Sequence, residues 1–110
     1  MNYNLTELCL SFKKINNKGI FQLSGFLADN KSLKVLDISR NLFTDNGFID
    51  FAKGLANNKG IESLNLSKNK DVSDDYGLRV LAESLASNSS LSVIDVSGLK
   101  VRKPCVLQYF

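Results

Sequence analysis

The run Leu33-Lys34-Val35-Leu36-Asp37-Ile38-Ser39-Arg40-Asn41-Leu42-Phe43 reads L-x-x-L-x-I-x-x-N-x-F, and Ile61 to Asn69 restates it as I-x-x-L-x-L-x-x-N after an interval of 28 residues. Leu5, Leu8 and Leu10 carry the same three apolar positions 28 residues before Leu33. Leu91, Ile94 and Val96 carry them again 30 residues after Ile61. A nearly constant interval with matching residue types restricts the chain to a stack of similar units, because one such unit cannot bury its own apolar face.

Each unit changes period halfway. Leu64-Asn65-Leu66-Ser67 alternates apolar and polar, the period of two of a short strand with one buried face. Later in each unit the apolar residues recur at three- and four-residue steps: Ile20, Leu23, Phe26 and Leu27, then Phe48, Phe51, Ala52 and Leu55, then Leu78, Leu81, Ala82 and Leu85. These steps predict amphipathic helices of about three turns. Thr44 and Ser73, each followed by aspartate at Asp45 and Asp74-Asp75, are the expected N-caps. Asn30, Asn57-Asn58 and Asn88 follow the last apolar turns and are expected to close the helices in the left-handed conformation.

These residues resemble the leucine-rich repeat family, in its ribonuclease-inhibitor-like subclass of about 28 residues per repeat. Leu33, Leu36, Ile38, Asn41, Phe43, Gly47, Phe51 and Leu55 fill the pattern L-x-x-L-x-L-x-x-N-x-L-x-x-x-G-x-x-x-L-x-x-x-L. The third unit keeps Ile61, Leu64, Leu66, Asn69, Gly77, Leu81 and Leu85, with two extra residues near Asp71-Val72. The first has Leu5, Leu8, Leu10, Ile15, Gly19, Leu23 and Leu27 but Lys13 in place of the asparagine. The fourth has Leu91, Ile94, Val96 and Val101, with Leu99 at that place.

The resemblance implies an α/β solenoid of about three and a half repeats (5–32, 33–60, 61–90 and a partial 91–110), forming one domain over 1–110. Its parallel β-sheet would line the concave face and its α-helices the convex face. Asn41 and Asn69 would be buried at the turn after the strand, satisfying backbone groups left open by the bend. Lys13 would suit a terminal unit. Pro104 to Phe110 either folds over the last unit, through Cys105, Val106, Tyr109 and Phe110, or marks a fragment or an end-to-end contact with another copy.

Composition narrows the function classes. The chain has 110 residues, 44% of them hydrophobic, and a formal net charge of +3, which suits a globular protein and is too mild for a dedicated nucleic-acid binder. It shows neither a signal peptide nor an apolar run long enough to span a bilayer, so a cytoplasmic location and no membrane partner are expected. Histidine is absent, which removes the commonest general base and metal ligand. With no zinc-spaced cysteines and no glycine-rich phosphate loop, no catalytic residue, cofactor or metal is expected. Cys9 and Cys105 should lie about three strand spacings of roughly 4.8 Å apart, too far for a disulfide. The triplets Asn4-Leu5-Thr6, Asn65-Leu66-Ser67 and Asn88-Ser89-Ser90 read as coincidental matches to a glycosylation pattern.

Candidate contact residues are those between the buried leucines, which alternation places on the open face of the strands. They form three columns: Glu7, Val35, Ser63 and Val93; Cys9, Asp37, Asn65 and Asp95; Ser11, Ser39, Ser67 and Ser97. The serine column has a plainer reading, a small residue bonding local backbone at the strand end. Val35 and Val93 beside Asp37 and Asp95 form the stronger recognition patch. Lys13, Lys14, Arg40, Lys68, Lys70 and Lys100 recur on one rim, either steering an acidic partner or simply keeping the surface solvated.

The function expected first is a non-enzymatic module that binds another protein through the concave sheet, with end-to-end self-association as a further possibility. The alternative is a piece of a larger repeat scaffold, receptor or cytoskeletal regulator. The resemblance also touches the Ran-type GTPase activators, whose exposed arginine at a post-strand turn would correspond here to Arg40.

Overall fold

In a computed structural model, which describes residues 5–73 and 75–98, strands and helices alternate along the chain. They are β1 (Glu7–Cys9), α1 (Asn17–Asp29), β2 (Val35–Asp37), α2 (Asp45–Leu55), β3 (Ser63–Asn65), α3 (Asp75–Ser87) and β4 (Val93–Asp95). The strands form one parallel sheet in sequence order. Its register sets Glu7, Val35, Ser63 and Val93 side by side, then Leu8, Leu36, Leu64 and Ile94, then Cys9, Asp37, Asn65 and Asp95. This is the alignment of the sequence repeat. The two extra residues of the third unit fall before α3, where Val72 takes a fully buried place.

Although each strand is three residues long, backbone pairing continues past it. The amides of Leu10, Ile38 and Leu66 donate to the carbonyls of Asp37, Asn65 and Asp95, and those of Phe12, Arg40 and Lys68 donate to Ser39, Ser67 and Ser97.

The core lies between sheet and helices. Leu36, Ile38, Leu64 and Leu66 point inward from the strands, and Phe48, Phe51, Ala52, Leu55, Leu78 and Leu81 meet them from α2 and α3. Helices pack as neighbours, α1 on α2 and α2 on α3. Close approach at the second contact requires Gly77, where a Cβ would stand 2.9 Å from Phe48 Cδ2. Burial falls away toward the outer units: Leu5, Leu8, Leu10, Leu91, Ile94 and Val96 are only partly covered. Phe26, expected in the core, is exposed. Ile20, Leu23 and Leu27 share one stripe of α1, and Phe26 lies about 100° around the helix from it.

Asparagine does most of the polar work. Asn41 accepts the amides of Lys13 and Ile15 and donates to the carbonyls of Leu10, Ile38 and Ser39. Asn69 accepts the Asn41 amide and donates to Ile38 and Leu66. Each therefore ties its own turn to the unit before it. Lys13 begins the series and has no described unit before it to reach.

The asparagines at the other corner do not take the left-handed conformation expected of them. The described non-glycine residues with positive φ are Phe12, Lys14, Arg40 and Lys68, and Asn30 is extended at φ −89°, ψ 130°. Asn30, Asn58 and Asn88 instead each accept two amides at the junction with the next unit: Ser32 and Leu33, Gly60 and Ile61, Ser90 and Leu91. Asn58 also donates to Leu27 and Asn30, and Asn88 to Leu55 and Asn58. A second ladder thus runs along the helix-to-strand corners. The physical reason is satisfaction: a side-chain amide can serve two donors and two acceptors at once, which a left-handed cap cannot.

Helix entry also differs from expectation. Thr44 holds the N-cap position of α2 but makes no side-chain cap bond. Its hydroxyl accepts from Asn17 and its amide donates back to Asn17, at 2.9 and 2.8 Å, so it is committed to the neighbouring unit. Ser73 likewise bonds Asp45. Asn16 caps α1 by accepting the Gly19 amide at 3.0 Å.

Candidate functional site

The face of the sheet opposite the helices carries the predicted contact columns. Val35 is 36% exposed and Val93 59% exposed, with half-buried Ser63 between them in register and Glu7 exposed at the edge. Two apolar side chains of a β-branched type stand open on a backbone fixed from behind by the core.

The second column has a structural role that sequence reasoning missed. Asp37 Oδ1 accepts the Ser39 amide at 2.9 Å and the Ser39 hydroxyl at 2.6 Å. Asn65 Oδ1 accepts the Ser67 amide, and Asp95 Oδ1 the Ser97 amide, each at 2.9 Å. These Asx turns end the strands. Each carboxylate still has an oxygen free of that bond, and Cys9 Sγ approaches Asp37 Oδ2 at 3.9 Å. Asp95 is held below its ordinary pKa of 3.8 by the Ser97 amide and then the Ser97 hydroxyl, which outweigh the opposing effect of burial; the charge of Lys68 adds a smaller lowering.

The serine column divides. Ser39 and Ser67 are only 4% and 7% exposed, and the Ser39 hydroxyl meets Ser11 Oγ at 2.9 Å. They support the strand ends more than they present hydroxyls. Ser97 remains exposed.

The rim is less uniform than a row of cations. Phe12, Arg40, Lys68 and Gly98 occupy one position of the repeat, immediately after the serine, and all four are left-handed, with φ of 61°, 57°, 58° and 74°. Only the last is the glycine that this conformation favours, and an L-residue there costs about 1–2 kcal/mol. The side chains of the other three, with Asn41, Leu42 and Lys70, line a shallow cleft of about 420 Å³. Phe12 is 75% exposed and Leu42 45% exposed. Lys13 and Lys14 are exposed nearby in sequence but do not line the cleft, and Lys100 lies outside the described residues. The sequence signal for Phe12 was its register with Arg40 and Lys68, which a charge pattern alone does not detect.

Among the described residues, no group of three His, Cys, Asp or Glu side chains is gathered closely enough to hold a metal ion, and no helix is long and apolar enough to cross a membrane. Cys9 is an exposed free thiol, while Cys105 and the rest of 99–110, including the proposed terminal cover, lie outside the described residues.

With this geometry the chain superimposes on the solved structure of leiomodin-1 actin-binding site 2, with a TM-score of 0.84 over 94% of this chain, at 20% sequence identity. The fold is leucine-rich-repeat-like. This chain spans 61% of that one, and at such identity the likeness concerns the fold. No protein-family model and no curated protein sequence matches the chain.

Proposed function

We propose that this chain is a non-enzymatic protein-interaction module, a short ribonuclease-inhibitor-like solenoid that binds a partner protein through the concave sheet. Val35, Asp37, Ser63, Asn65, Val93 and Asp95 form the contact centre. The observation that carries this reading is the pairing of exposed Val35 and Val93 across Ser63 on a rigid parallel sheet. Apolar groups on a fixed backbone, beside carboxylates already oriented by Asx turns, lose little freedom on binding. A partner with basic and apolar side chains fits that face.

A second reading, a fragment of a cytoskeletal regulator with actin as partner, is supported by the likeness to leiomodin-1 actin-binding site 2. Sedimentation of the chain with filamentous actin, and fluorescence titration with monomeric actin, test it. Specific binding that the pair Asp37→Lys and Asp95→Lys abolishes supports actin at the sheet face. Capture of other proteins with the same dependence, and no actin, supports the module without that partner. Undiminished capture by the double variant removes the patch.

A further inference from the structure

We infer that the cleft at the strand ends, lined by Phe12, Arg40, Leu42, Lys68 and Lys70, binds an acidic linear segment of a partner protein that carries an apolar side chain among its carboxylates. This extends the protein-interaction reading to a second surface, beside the sheet face and distinct from it in chemistry.

Three observations converge. The first is the backbone. Glycine or asparagine would fit the left-handed turn after each serine with less strain, yet Phe12, Arg40 and Lys68 occupy it in three successive units and turn into one cleft. Departures from local preference that gather at one place mark side chains kept for another reason.

The second is charge. Arg40 and Lys68 hold equivalent positions three residues past β2 and β3, where backbone pairing continues through the Arg40 amide to the Ser67 carbonyl, so their backbones are roughly 4.8 Å apart, and Lys70 joins them in the lining. Like charges on neighbouring strands oppose each other. Among the described residues no carboxylate belongs to the cleft lining, although Lys68 acts on Asp95 from its edge. An incoming carboxylate would relieve the repulsion.

The third is the apolar surface. Phe12 and Leu42 are among the exposed large hydrophobic residues, and a cleft of about 420 Å³ is of a size to take a few side chains. Cations alone would attract any anion; the apolar pair selects one with a hydrophobic side chain. The single aromatic and three cations among the described lining residues form too small a platform for nucleic acid, which needs stacked bases and a longer basic track.

The test uses the whole chain and three fluorescein-labelled peptides of equal length: aspartate and glutamate flanking a central leucine, the same acidic peptide with serine for leucine, and a glutamine–serine peptide retaining the leucine. A single-stranded oligonucleotide is the fourth probe. Anisotropy titration should show saturable binding of the first peptide, weakened by salt and favoured over the other three probes. Arg40→Asn with Lys68→Asn should weaken it by roughly fivefold or more; asparagine tolerates the left-handed backbone, and circular dichroism reports retention of the fold. Val35→Ser with Val93→Ser should leave it unchanged, which separates this cleft from the sheet face. Amide shifts in a nitrogen–proton NMR spectrum should centre on Phe12, Arg40 and Leu42. Equal binding by the asparagine variant, equal binding of the leucine-free peptide, preference for the oligonucleotide, or no binding of the first peptide would each overturn the assignment.

Discussion

The Oδ1 of Asn69 accepts the backbone amide of Asn41 at 2.7 Å, so one turn asparagine holds the next through the main chain. Asn69 is fully buried and Asn41 2% exposed, and the Nδ2 of each reaches the Ile38 carbonyl, at 3.1 and 2.9 Å. Truncating either strands several buried backbone groups, each worth about 1–3 kcal/mol when left unpaired. Asn41→Ala and Asn69→Ala should each lower stability by about 3 kcal/mol or more, read from the urea midpoint. Asn57→Ala, at an exposed neighbouring corner, should stay within about 0.5 kcal/mol of the wild type.

The helix-to-strand ladder makes a sharper distinction. If Asn58 closed α2 by adopting a left-handed conformation, Asn58→Gly would be tolerated. Its Oδ1 instead accepts Gly60 and Ile61, both at 2.9 Å, and its Nδ2 donates to Leu27 at 2.8 Å. Asn58→Gly should therefore cost at least as much as Asn58→Ala, about 2–4 kcal/mol, because both remove the same bonds. Thermal unfolding of the two variants side by side checks this.

Gly98 is the one glycine in the left-handed column, and a Cβ there would meet Lys68 Cγ at 2.8 Å and Lys68 Cα at 3.2 Å. Gly98→Ala should destabilise by about 1–2 kcal/mol through the backbone conformation, with a further increment from this contact. In Lys68→Gly the Cγ obstacle is gone, so adding Gly98→Ala to it should cost less than in the wild type. A double-mutant cycle by chemical denaturation measures the coupling.

Because the folded-state pKa of Asp95 lies below its ordinary value of 3.8, its ionised form favours folding. That contribution is complete above the ordinary value and is lost as pH falls through the lowered one. Asp95→Asn should flatten the fall of stability below pH about 4. The turn itself should persist, since Asn65 already makes the same bond to Ser67. Unfolding curves at stepped pH report the change in slope.

Much of this architecture was readable from residue spacing. Alternation around Leu36 and Leu64 gave the strand register, and the three- and four-residue steps of Phe48, Phe51 and Leu55 gave the buried face of α2. What escaped was whatever depends on the neighbouring unit. Thr44 has the chemistry of a cap, but Asn17 of the previous unit claims its hydroxyl. Asn58 suits a left-handed residue, but carbonyls of the previous unit reach its amide. Within the candidate site, alternation identified Val35 and Val93 as open. It could not distinguish Ser39 from Ser97, because burial at the strand end depends on what lies across it. Phe12, Arg40 and Lys68 are not residue types that announce a left-handed turn, so the cleft they share was visible only as part of a basic rim.

The most direct test of binding through the sheet is site-specific photo-crosslinking. A photoreactive phenylalanine analogue is placed at Val93 on the open sheet face or at Glu83 on the exposed side of α3, and adduct formation with the bound partner is compared. Partner capture concentrated at Val93, and suppressed when Asp37→Lys is added, is the predicted result. Equal or greater crosslinking from Glu83 would place the contact on the helices and contradict a sheet-face interface.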